Sequence, residues 1–327
     1  MKNIKRLLIV MVMAVFAVPL AALAQDSGEQ AGSGGISISP TRFELVIERG
    51  KAELATIQVK NVTQNEILAK AYLNDFEPDG VTGNPILLVD DTKEQSSSSL
   101  RDFIVGLEDV TIPAGETAIV NLPIQVPDNA APGAYYGAVR FQAAPVESAE
   151  QSDQEAQLSL NASVAAIVLV EVPGDITEKI EVSSVGAYVD DKKGSLFTKT
   201  PTQVGIKINN LGNGFSKPFG AVSVKGPWGS GEILNYELND TTPRGNVLPN
   251  SARLFLKDLS GVKWPGRYTI EANISHGRGG EVLTAKSSFW YIPSWLIVIL
   301  IVFLAAIVTL GFYLYKKYIT KTTSRRR

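Results

Sequence analysis

Between Ile36 and Tyr291 the chain is a succession of short β-branched and aromatic runs, each ended by Pro, Gly, Asn or Asp. Clear runs are 36–39, 43–47, 55–59, 68–73, 118–124 and 135–142 in the first half. In the second half they are 180–189, 203–209, 220–225, 253–256, 268–274 and 284–290. Within them apolar and polar residues alternate with a period of two, and no stretch between the termini carries a helical period. A chain punctuated in this way buries its apolar side chains by stacking sheets, so an all-β sandwich architecture is predicted.

The pattern occurs twice. "IQVKNVTQNEILAKAYL" and "IKINNLGNGFSKPFGAVSV" each give an alternating strand, an Asn at its end, a turn and a return strand. "IPAGETAIVNL" and "LPNSARLFLKDL" each give a Pro-led turn into a strand, and "PGAYYGAVRF" and "PGRYTIEANI" each give Pro-Gly-x-Tyr into a strand. Three matches in the same order indicate internal duplication. Successive strand residues face opposite sides, so Tyr135 and Tyr268 both fall on the apolar face. A Tyr at a sheet corner, ring in the core and hydroxyl on nearby backbone, is a feature of immunoglobulin-like sandwiches. The outward residues of the two copies are unrelated, so the shared motif is scaffold and not a shared ligand site. The reading is therefore two tandem immunoglobulin-like β-sandwiches, residues 36–173 and 175–291, meeting at Pro173-Gly174. The acidic stretch Pro145–Gln157 reads as an exposed loop within the first, because the apolar strand after it needs a partner sheet. The segment 75–100 reads as an Ω-like insertion.

Both ends are different. Lys2, Lys5 and Arg6 precede an apolar run to Leu20, and "ALA" at 22–24 offers a cleavage site, so 1–24 reads as a signal peptide and 25–35 as a flexible linker. From Trp295 to Tyr315 no residue is charged, and 21 residues at 1.5 Å each span about 30 Å, the thickness of a bilayer core. Aromatic residues flank this run, and a basic tail, 316–327, follows it. The expectation is one C-terminal transmembrane helix, a cytoplasmic tail and an extracellular N-terminal part in a single-pass cell-membrane protein.

Between signal and tail lie 22 of the 31 Lys and Arg and all 33 acids, a net charge of −11, which disfavours nucleic acid as a partner. There is no cysteine and one histidine, which removes Cys–His nucleophiles and multi-histidine zinc sites. No Gly-x-Ser-x-Gly elbow or Ser-x-x-Lys pair stands in a fitting context, so no enzyme and no cofactor is expected. His276, in "SHGRGG", reads as a solvated turn residue. Asp75, Glu77 and Asp79 before Gly80 resemble the opening of a calcium loop, but position four is Pro78 and position twelve, where a bidentate Glu belongs, is Ile86, and the reading is an acidic turn. Tyr136 and Arg140 on the outward side of the first corner strand are candidate partner-binding residues. Trp228 and Trp264 stand in Gly/Pro-rich loops; such residues bind partners or fold back onto the core, and folding back is the expectation here.

Two resemblances follow from these residues. "ISISPTRFELVIERGKAELATIQVKNVTQNEILAKAYLNDF", "IPAGETAIVNLPIQVPDNAAPGAYYGAVRF" and "FWYIPSW…YKKY" resemble the WxL-interacting, wall-associated surface proteins of bacteria. That resemblance implies two immunoglobulin-like domains, the first linked to peptidoglycan and the second to a partner protein. "SPTRFELV" with the later "VKN" resembles the first strands of pilus chaperones, with Arg42 matching their subunit-anchoring arginine. The leading expectation is a non-enzymatic, membrane-anchored surface protein that binds cell-wall peptidoglycan or another exported protein by sheet-edge addition or loop contact. The alternatives are a membrane-anchored, pilus-chaperone-like assembly factor and a carboxylate-dependent wall hydrolase. Tyr136, Arg140, Trp228 and Arg42 are the candidate contact residues.

Overall fold

A computed structural model describes residues 35–89, 96–145, 163–277 and 281–323. The expected signal segment, the linker before Gly35, the acidic stretch from 146 to 162 and the last arginines lie outside the described residues. What is described is mostly β structure, with sheets that form two immunoglobulin-like sandwiches and one apolar C-terminal helix, α1 (Ser294–Thr323).

In the first sandwich, β1 (Ile36–Ser39), β3 (Ala52–Asn61) and β7 (Thr117–Gln125) form one sheet in the order β1-β3-β7. The other sheet has the order β2-β9-β8-β4-β5, with β2 (Arg42–Val46), β9 (Ser163–Val172), β8 (Gly133–Pro145), β4 (Ile67–Pro78) and β5 (Pro85–Leu88); the short β6 (Val110–Ile112) also pairs with β4. Pro40 and Thr41 carry the chain from one sheet to the other. β1 therefore runs antiparallel to β3, and β2 runs parallel to β9.

The second sandwich opposes β11-β10-β13-β16 to β12-β18-β17-β14-β15. Its strands are β10 (Ile180–Val189), β11 (Lys192–Gly194), β12 (Leu196–Phe197), β13 (Gln203–Asn210), β14 (Phe219–Lys225), β15 (Glu232–Leu238), β16 (Ser251–Asp258), β17 (Gly266–Ser275) and β18 (Val282–Tyr291). Each sandwich has its own core: Ile57, Leu122, Phe141 and Val168 are among the buried residues of the first, and Ile206, Val222, Tyr268 and Phe289 of the second. Burying one such side chain contributes about 1.5–3 kcal/mol, which is how sandwiches without disulfides hold together.

The duplication is visible atom by atom. Tyr135 Oη donates to the carbonyl of Ala131 at 3.0 Å, and Tyr268 Oη donates to the carbonyl of Trp264 at 2.7 Å, four residues back in both copies. Tyr135 packs on Phe103 and Tyr268 stacks on Phe289. The paired asparagines match as closely. Asn61 Nδ2 donates to the carbonyls of Asn65 (2.7 Å) and Ile112 (3.0 Å), while its Oδ1 accepts from the amide of Thr63 (2.8 Å). Asn210 Nδ2 donates to Gly214 (2.8 Å) and Val247 (2.9 Å), and its Oδ1 accepts from the amide of Gly212 (2.9 Å). Both side chains are buried and staple a strand end to the turn that follows it. Asn61→Ala and Asn210→Ala should each lower stability by about 2 kcal/mol, because buried backbone groups lose their partners. Denaturant titration of each variant checks this.

Three expectations change. The 75–100 insertion is no free bulge: its first part is the hairpin of β4 and β5. Its tip docks on the second sandwich, where the amide of Leu254 donates to the carbonyl of Val81 at 2.6 Å. Asp79 is consumed by that tip, its carboxylate accepting from the amides of Val81 (2.9 Å) and Gly83 (2.7 Å) and from the hydroxyl of Thr82. Second, β15 lies on a segment where no strand was predicted, because "EILNYEL" has two adjacent aliphatics and charged residues that blur the alternation. Third, Trp228 and Trp264 do not fold back: they are 87% and 69% exposed.

Candidate functional site

The outward face of the β2-β9-β8-β4 sheet is not left to solvent. Phe76 of β4, Ala138 of β8 and Leu169 of β9 form a buried apolar patch with Leu248 of the second sandwich, and Tyr136, Ile167 and Phe215 pack around it. Tyr136 sits between Phe76, at 5.0 Å, and Phe215, at 6.5 Å between ring centroids. Burial above all, and then the carboxylates of Glu77 and Asp75, push its phenol above the usual range. Beside the patch Asn213 stitches the lobes: its carbonyl accepts from the amide of Ala134 (2.8 Å) and its Nδ2 donates to Pro132 (3.2 Å).

Next to this contact a cleft of about 420 Å³ opens between the lobes. Glu44 and Val46 of β2 and Glu171 of β9 line one wall, and Lys217, Arg244, Asn246 and His276 line the other. The Glu44 carboxylate accepts from Arg42 on its own strand, from Lys217 across the cleft and from Asn246 Nδ2 at 3.3 Å. Arg42 also reaches the carbonyl of Arg244 at 3.4 Å. His276 is 7% exposed and lines this cleft, a correction to its expected place in a solvated turn. The turn is pressed against the segment after β9, so that the Glu178 carboxylate fills the space where a side chain at Gly277 would stand.

The most open feature is the free edge of β2. Thr41 offers its carbonyl to Ile167 of β9, and Ile47 donates its amide to Glu171. By alternation Phe43 and Leu45 also turn their backbone groups toward β9, while those of Arg42, Glu44 and Val46 point to the open side. Val46 is 67% exposed there. An edge of this kind is a template for another extended chain.

Three of the four candidate residues share one sheet face, and the fourth stands apart. Arg42 and Tyr136 share the sheet face that looks at the second lobe. Arg140 is on the same face, buried, with Nε on Asn74 Oδ1 at 3.0 Å and its guanidinium 4.4 Å from the centre of the Tyr72 ring. Trp228 stands in the loop between β14 and β15. Glu44, Lys217, Phe215 and Leu248 escaped sequence reading. A signal was present: "SVAAIVLVEV" is apolar almost without interruption, as strands covered on both faces are. Among the described residues no group of three or more His, Asp or Glu is placed to hold a metal ion.

Neither a family model nor a curated protein matches the chain. Its two-lobed β architecture is similar to solved fimbrial chaperones. A chain of a chaperone–tip adhesin complex of CFA/I fimbriae biogenesis is 14% identical with a TM-score of 0.39, over 80% of this chain and 100% of that one. The class 5 fimbriae chaperone CfaA is 15% identical with a TM-score of 0.37, over 79% of this chain and 100% of that one. The E. coli chaperone DraB is 12% identical with a TM-score of 0.35, over 79% of this chain and 98% of that one.

These likenesses overturn the expected kinship with WxL-interacting surface proteins. The segments that suggested it are β1 to β4, β7 to β8, and the end of β18 with α1; the corner tyrosine, capping asparagine and inward apolar residues of the strands serve any sandwich of this build. The wall-binding function, and the address of a single-pass cell-surface protein with a cytoplasmic tail, fall with it.

Proposed function

We propose that the chain is a chaperone-like assembly protein, which holds an extended segment of another exported protein against the free edge of β2, in the cleft between its two sandwiches. The observation that carries this reading is that edge: the backbone groups of Arg42, Glu44 and Val46 face open space beside a cleft walled by both lobes. Main-chain pairing supplies affinity with little demand on the partner's sequence, and the side chains around the cleft select among partners. The likeness of "SPTRFELV" to the first strands of pilus chaperones points to the same class of partner.

The test is a photo-crosslinking residue placed at Val46 in the full chain, expressed in its native cells. The expected result is a crosslink to one exported protein, absent when the same probe replaces Ile119 on β7, which is also 67% exposed. Val46→Pro deletes a free-edge amide without touching the ladder to β9, as edge strands tolerate proline. In a Val46→Pro chain carrying the crosslinker at Glu44, the adduct should fall at least about tenfold, the equivalent of losing one good interaction. Equal adducts at 46 and 119 would sink the reading.

A further inference from the structure

All four tryptophans of the chain, Trp228, Trp264, Trp290 and Trp295, gather at one end of the second sandwich, and all four are exposed. The connections are local and specific. Trp228 lies in a one-turn 3-10 segment between β14 and β15, and its indole Nε1 donates to the carbonyl of Pro265 at 3.1 Å. Trp264 is held by the corner tyrosine, its amide donating to Tyr268 Oη at 3.3 Å and its carbonyl accepting from it at 2.7 Å. Gly266 lets these loops close on one another, since a Cβ there would stand 2.6 Å from Pro227. Gly266 is paired with Tyr291 and Arg267 with Trp290, so the same end carries the last residues of β18. Leu196, exposed on β12, is paired with Trp290, and α1 begins three residues after Tyr291 with Trp295 in its first turn.

None of these rings belongs to the sandwich core. Trp228 holds φ = 59°, a backbone geometry that bulky residues seldom take, and its ring is turned to solvent. With its indole N–H satisfied by Pro265, it offers an apolar face without a stranded donor. Exposed Lys263 and Arg267 border the rings. From the same end departs α1, whose span Ser294–Tyr315 is by length and composition apolar enough to cross a membrane and is nowhere buried by the rest of the protein. Tryptophan favours the headgroup layer, where one side of the ring is apolar and its surroundings are wet, and Lys and Arg favour anionic headgroups.

From this placement we propose that the end of the second sandwich formed by Trp228, Trp264, Leu196 and Trp290 docks on a lipid surface, its indoles seated among the headgroups. The cleft and the β2 edge take no part in this, and the two proposals stand or fall separately.

The chain supplies its own probe. In a Trp290→Phe/Trp295→Phe variant only Trp228 and Trp264 emit, and this full-length chain is mixed with vesicles of phosphatidylcholine and phosphatidylglycerol by detergent removal. The expected results are a blue shift, protection from iodide, and about a twofold loss of emission when the lipids carry bromine close to the headgroup. Trp228→Ser and Trp264→Ser, made singly in that background, should each remove part of the quenching while leaving the folded state intact, because neither ring is buried. Emission that stays open to iodide and blind to bromine overturns the proposal. So does shielding from iodide without bromine quenching, which would mean a protein contact, and so does failure of the chain to float with the vesicles.

Discussion

Tyr268→Ala lowers the stability of the second sandwich by about 4 kcal/mol, the usual result of emptying a buried aromatic site. The ring is almost fully enclosed and lies parallel to Phe289 at 5.1 Å, so its removal leaves a cavity bounded by strands that cannot close in. Tyr268→Phe keeps the ring and loses only the hydroxyl bond to Trp264, at a cost of about 1 kcal/mol. The ratio of the two separates packing from the corner bond, and denaturant titration measures both. Tyr135→Ala, at a half-buried ring, should cost less than its counterpart. If Tyr268→Phe proved as damaging as Tyr268→Ala, the corner would be held by its hydrogen bond and not by its core contact.

Leu248→Asp separates the lobes. Leu248 is the second sandwich's buried contribution to the patch on Phe76, Ala138 and Leu169, and a carboxylate there is desolvated with no cation among those apolar neighbours. Neutralising or expelling it costs several kcal/mol, about the size of the contact itself. The expected outcome is that a single calorimetric transition splits into two, and that small-angle scattering shows a longer particle while each sandwich keeps its β signature. Leu248→Ala, which removes area without adding charge, should weaken the coupling by about 2–3 kcal/mol and leave the transition single. A one-step melt and unchanged scattering for Leu248→Asp would mean that the lobes are held elsewhere.

Much of the scaffold was legible from the residues alone, for a physical reason. Strand alternation and corner chemistry are local: Tyr135 and Tyr268 need only the parity of their positions to be assigned to the core, and Asn61 and Asn210 need only their place at a strand end. The contact between the lobes is not local. Tyr136 was correctly placed on the outward side, yet nothing within its own strand says that Phe215, 79 positions later, packs beside it. The near-continuous apolar character of β9 says that both of its faces are covered, but not by what. β15 is obscured because Ile233 and Leu234 are adjacent aliphatics and Glu232 falls on the same parity as Leu234, Tyr236 and Leu238, which leaves only a short alternating stretch. The cleft was illegible for a different reason. Glu44, Lys217 and Asn246 are ordinary polar residues whose meaning comes entirely from the packing of two domains.

The hairpin tip that reaches β16 adds one more tie between the lobes, where Val81 meets Leu254, to the connector at 173–179, the Asn213 hydrogen bonds and the Leu248 patch. Two sandwiches fastened at several separate places hold the walls beside β2 in position before anything is bound. A segment laid along that edge would meet a preformed seat, with little ordering of the lobes left to oppose its binding.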